Sequence, residues 1–156
     1  MNTEIIINDF ENQELRNQLI ELSNSASTKV LTDWAIKICK HAYDRCEVNY
    51  RQITFVMEGF LVAALYMEDK AKKSDIRRVM FQLEKFSRNW SKYDPKNEIL
   101  GKSAINAIGT PSAVGRSLIC SDYAIKAIFE KTGNNIDIVN SEREYQIKLL
   151  KDLLMN

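Results

Sequence analysis

The chain has 156 residues, 45% of them hydrophobic, and its 22 Lys and Arg nearly cancel its 21 Asp and Glu to a formal charge of +1. That balance provides no global field toward nucleic acid or a membrane surface, and the apolar share suits one globular domain over residues 1–156 with a buried core. Five Gly and two Pro leave little to break helices, and three Cys are too few and too odd for a disulfide framework. No Val/Ile/Thr-rich alternation marks strands.

Taken in order, the elements are helical. Asn8 or Asp9 can cap a first helix running to about Ser23, with Phe10, Leu15, Leu19 and Leu22 on its apolar side. Ser27 or Thr28 opens a second that ends near Glu47. A third, from about Tyr50 to Lys72, is apolar almost all round, as a central helix should be. Ser74 caps a fourth whose Ile76, Val79, Met80, Leu83, Phe86 and Trp90 form a stripe. Pro95, where a missing N–H costs nothing, starts a fifth that ends near Gly109. Pro111 restarts the chain as a sixth, closed by Gly133 as a left-handed cap. Ser141 and Glu144 make a capping box for the last. The expected fold is all-α, a compact bundle of about seven helices around a central apolar helix near residues 50–72.

The run Ile53–Met67 is interrupted by Glu58 and falls short of the roughly 20 residues that span a bilayer, so it reads as a core helix. Met1–Ile7 lacks the basic start and small-residue cleavage site of a signal peptide. With so few cysteines, a reducing cytoplasm is the expected setting.

The stretch VLTDWAIKICKHAYDRCE, residues 30–47, holds the only His and two of the three Cys. At about 100° per residue, Cys39 and Cys46 sit some 20° apart beside Ala35 and Ala42, while His41 falls roughly 140–160° away. Metal ligands must converge, and these do not, so the thiols read as small core residues and no metal site is expected. His41 and Arg45 flank Trp34 at about 20° each along the helix edge. A Trp rimmed by such groups is either an edge covered by their stems or a contact surface for a partner.

Glu58, alone among apolar neighbours, is a candidate acid or base with Cys120 or His41 from other helices, although a carboxylate facing a polar seam or paired with a cation fits the pattern better. No Walker loop, HExxH, GxSxG or CxxC is present. The segment KAKKSDIRRVMFQLEKFSR, residues 70–88, is strongly basic. Within it Phe81 points away from the apolar stripe, and Arg77, Lys85 and Arg88 surround it, a pattern suited to an acidic protein or to nucleic acid. Residues 1–26 are acidic, so attraction between that start and the basic helix, within one molecule or across a homodimer, stays open.

TDWAIKICKHAYDRCE (Thr32–Glu47) resembles the opening Trp-Ala-x-x-Cys-Ala-type helix of the immunity-5-like group of bacterial polymorphic-toxin systems. SEREYQIKLL (Ser141–Leu150) resembles that group's closing Glu-Arg-x-aromatic-Gln segment. AINAIGTPSAVG and DYAIKAI between them look like its small-residue helix pair and Tyr-Ala-x-Lys-Ala element, so the likeness spans about residues 30–150. Histidines frequent in that group's Ala/Gly-rich segment are absent here. The resemblance implies an all-helical, non-enzymatic protein without cofactors that binds and neutralises a cognate toxin. The alternatives are a nucleic-acid-associated protein using the basic helix 70–88, and an enzyme around Glu58.

Overall fold

The computed structural model describes residues 11–90 and 95–156. Among the described residues, seven α-helices and one 3-10 turn follow one another: α1 Gln13–Asn24, α2 Thr28–Arg45, the 3-10 turn Tyr50–Gln52, α3 Thr54–Met67, α4 Lys73–Trp90, α5 Pro95–Gly109, α6 Arg116–Lys131 and α7 Ile136–Met155. The all-α bundle read from the sequence is the fold. The expected cap at Asn8 or Asp9, Phe10 and the side chain of Trp90 lie outside the described residues.

Local chemistry explains where the helices begin. Asn12 accepts from the backbone N–H groups of Glu14 and Leu15 at the start of α1, and Ser27 accepts from that of Val30 at the start of α2. α4 opens differently from expectation: Asp75 Oδ2, not Ser74, accepts from the backbone N–H of Lys72 at 2.8 Å. A carboxylate in the first turn also favours the positive end of the helix dipole. α7 begins five residues before the expected Ser141, with Asn135 as its cap. Ser141 lies inside the helix and donates back to the Ile138 carbonyl, so the capping-box pattern there was a coincidence of spacing.

Three helix ends share one device. Asp69 follows α3 at φ 59°, and the N–H of Lys70 returns to the Leu65 carbonyl at 2.8 Å. Glu47 closes α2 in the same way, with Val48 bonding to Tyr43, as does Gly133 after α6, with Asn134 bonding to Phe129. Only Gly133 announces itself in the sequence. Asp69 adopts the left-handed backbone without being glycine, which is why the third helix stops at Met67 rather than Lys72. Its start is also later, because Tyr50–Gln52 winds as a 3-10 turn first.

α5 is the hub, in contact with α2, α3, α4 and α6, and α6 in turn carries α2 and α7; α1 lies on α7. α3 was expected at the centre, yet it buries one face only, through Val56, Gly59, Phe60, Val62 and Ala63, and leaves Met57 and Leu61 in solvent. The hub position goes to α5 because its inner face is small: Ser103, Ala104 and Ala107 are fully buried and let neighbouring backbones approach. At Gly101 a Cβ would lie 2.3 Å from Ser87 Oγ and 2.9 Å from Ser87 Cβ, so α4 crosses α5 where only hydrogen fits. No described helix is long and apolar enough to cross a membrane.

This crossing generates a test. Gly101→Val should destabilise the fold by about 2 kcal/mol, since overpacking costs typically 1–3 kcal/mol and exceeds any relief of glycine's poor helix propensity. The thermal midpoint by circular dichroism should fall by roughly 4–8 °C. Gly115→Ala, where an added Cβ meets nothing within 4 Å, should change stability by less than about 0.5 kcal/mol.

Candidate functional site

The residues singled out from the sequence separate into one interior group and two surface groups. Trp34 belongs to the interior. It is fully buried, and its indole N–H donates to the Gln146 carbonyl on α7 at 2.9 Å. Trp34 was expected either as an edge covered by the stems of His41 and Arg45 or as a partner contact; instead α7 crosses over that edge and covers the indole, which takes it out of the candidate contact surface.

His41 and Arg45 do come together, around a carboxylate the sequence reading had not linked to them. His41 Nε2 lies 2.9 Å from Glu142 Oε2, and Arg45 lies 3.8 Å from the other oxygen of the same group. Glu142 is buried while Arg45 is exposed. The imidazole also stacks on Tyr145, centroids 4.2 Å apart. Burial and the neighbouring Glu142 charge push the Tyr145 phenol upward from its ordinary pKa. This α2/α7 edge is a charge-matched surface with one half-exposed aromatic ring.

The second surface group lies on α4. Phe81 is 67% exposed, and Arg77, Lys85 and Arg88 around it are exposed as well. Arg88 bonds Glu84 one turn away at 2.7 Å. Beside it, a cleft of about 500 Å³ between α4, α5 and α6 is lined by Glu84, Arg88, Glu98, Lys102, Asn106 and Arg116. Its cations face acceptors within the chain, Lys102 toward Glu98 at 3.8 Å and Arg116 onto Asn106 at 3.1 Å.

The groups considered for catalysis each have a separate structural partner. Glu58 bonds Arg78 at 3.0 Å, with more than a third of its side chain exposed. His41 is held by Glu142. Cys120 is fully buried, with its thiol donating to the Ala35 carbonyl at 3.4 Å and Ser103 donating to its own carbonyl. Burial pushes the Cys120 thiol up to about 12 and Cys39 well above its ordinary range. These thiols stay protonated and are poor nucleophiles. Among the described residues no three His, Cys, Asp or Glu side chains converge as metal ligands would.

What sequence reading missed is a buried ionic cluster. Arg143 on α7 is fully buried, and it donates through Nε to Glu11, through one terminal nitrogen to Ser121 and Gln146, and through the other to Asp122 at 2.7 Å. Asp122 in turn receives a two-pronged bond from Arg16 on α1, at 2.9 and 3.1 Å. That hydrogen bond, with the nearby carboxylates, raises the Arg16 guanidinium further above its ordinary pKa. Two carboxylates and two guanidiniums balance, as groups withdrawn from water must. Gln146 extends the cluster: its side-chain amide donates to the Ser121 carbonyl at 3.0 Å, and its backbone carbonyl accepts the hydrogen bond from the Trp34 indole. The only local signal was a charge next to aromatic and apolar residues in SEREYQ and CSDYA, and nothing in either stretch identifies the partner.

This geometry bears on the family question. The stretches around Trp34, Asp122 and Arg143, more than a hundred residues apart at their extremes, meet at one buried junction of α2, α6 and α7. The sequence model of the Imm-5 like putative immunity proteins matches residues 21–153. The chain belongs to that family. No curated protein and no solved structure matches it.

Two outcomes follow from the site. Trp34→Phe removes the buried bond from α2 to the Gln146 backbone carbonyl and leaves space where the larger indole packs, so it should cost about 1–3 kcal/mol in chemical denaturation. At pH 8 the native protein should take up essentially no Ellman's reagent, and three equivalents after unfolding in guanidinium; rapid native labelling would contradict the buried thiols. The same shift carries a sign for stability. Between pH 9.0 and about 12 an unfolded chain sheds the Cys120 proton that the folded chain keeps, so the folded state loses ground as pH rises.

Proposed function

We propose that this chain is a non-enzymatic immunity protein that binds a cognate toxin and neutralises it inside a bacterial cell. Membership of the immunity family over residues 21–153 carries the reading. The site geometry is in keeping with it. Among the described residues, Glu58, His41 and Cys120 each bond to a partner on another helix, which supports a role in recognition over one in catalysis.

Mechanistically, a preformed helical face can occlude a toxin's active site without any chemistry of its own. Little ordering is required on binding, so less of the contact energy is lost to entropy. Local charge steers the encounter, while buried apolar contacts set the lifetime of the complex.

Co-expression tests this directly. When the toxin encoded beside this gene is induced, cells carrying this chain should keep growing, and the two proteins should co-purify as a stable complex. Continued growth arrest together with no co-purification would overturn the reading.

A further inference from the structure

Three surfaces merit comparison: the α2/α7 edge at His41, the cleft between α4, α5 and α6, and the outer face formed by α3 and α4. At the first two, the charged side chains have partners within the chain. The third differs in both its apolar and its charged character.

On α3 the solvent-facing positions Met57, Leu61 and Ala64 repeat at helical spacing, with Met57 41% and Leu61 59% exposed. An ordinary surface helix carries polar residues on that stripe. Glu58 and Arg78, bonded at 3.0 Å and each with more than a third of its side chain exposed, clasp α3 to α4 and mark the outward side of the pair. Leu61 stands one turn from Glu58 and Phe81 one turn from Arg78, so both flank the clasp on that side. Three of the largest exposed apolar side chains among the described residues thus share one face. None of them contributes to the core.

The charge around them is predominantly positive. Arg77 and Lys85 rim Phe81 and make no ion pair with any described residue, whereas Arg78 is matched by Glu58 and Arg88 by Glu84, so the rim carries two cations in excess. An apolar centre of Met, Leu and Phe within a rim of Arg and Lys has the composition of a protein-binding surface. Two copies meeting face to face about a two-fold axis would set these cations against themselves. Nucleic acid would use the cations but leave Met57 and Leu61 without a role.

We infer that the outer face of α3 and α4, centred on Leu61 and Phe81 and rimmed by Arg77, Arg78 and Lys85, docks an acidic surface of the toxin. This rests on the immunity reading above and specifies where on the chain the toxin sits.

The experiment measures binding to the toxin encoded beside this gene, inactivated at its catalytic centre, together with the solution mass of the unmodified chain. Leu61→Glu and Phe81→Glu change exposed positions, and unaltered thermal midpoints would confirm that both fold. Each should weaken binding at least about 30-fold, mainly through faster dissociation. The double reversal Arg77→Glu/Lys85→Glu should slow association about tenfold at low salt and flatten its salt dependence. Tyr145→Glu on the α2/α7 edge should bind as the unmodified chain does. If the unmodified chain binds and all the α3/α4 variants match it, this face is overturned while the immunity reading stands. If the unmodified chain does not bind, the immunity reading fails and this proposal with it. A homodimer dissociated by Leu61→Glu, or steeply salt-dependent DNA binding abolished by Phe81→Glu, would each assign the face to another occupant and overturn the acidic toxin.

Discussion

A guanidinium with no access to water organises this bundle. Arg143 must find acceptors for its N–H groups inside the protein, because an unpaired buried charge is too costly to keep. It finds them in Glu11, Asp122, Ser121 and Gln146, and Asp122 then requires Arg16 to balance it. The entry to α1, the middle of α6 and the first half of α7 are thereby tied to one point. Buried ion clusters of this kind are weak evidence for net stability, since apolar replacements often do as well. What the cluster imposes is placement: α1 can sit only where Arg16 reaches Asp122.

The same junction explains why the stretches that resemble the family say little about recognition. Trp34, Asp122, Arg143 and Gln146 bond to one another in the interior, and Glu142 and Tyr145 hold His41 at the edge. The stretches that carry the resemblance thus supply scaffold residues. A surface for a partner must then be sought where the fold makes no demand. The outer side of α3 and α4 is such a place, because large apolar side chains there are exposed without any packing reason.

Much of the helical order was legible because its signals are local. Ser27 as a cap, Pro95 as a helix start and Gly133 as a left-handed stop act over three or four residues, and each stands where expected. Boundaries failed where the chain used less typical residues for the same task. Asp69 takes the left-handed turn that glycine usually takes, and Asn135 caps α7 ahead of a more conspicuous Ser/Glu pair. Overall apolarity singles out α3 as the centre, whereas close packing depends on smallness, which α5 supplies. Exposure of Phe81 followed from helical phase alone. Burial of Trp34 did not, since it depends on where α7 crosses. The ionic cluster was out of reach for the same reason: Arg16 and Asp122 are 106 positions apart, and Glu11 and Arg143 are 132 apart.

The organising role of the cluster is open to a double-mutant cycle between Arg143 and Asp122 by chemical denaturation. If the pair is a mutually satisfied buried unit, Arg143→Met and Asp122→Leu should each cost about 3–5 kcal/mol by stranding the other's charge. The double variant should then cost clearly less than their sum, with a coupling of 1 kcal/mol or more. Losses that simply add, or single variants within about 0.5 kcal/mol of the unmodified chain, would contradict the account.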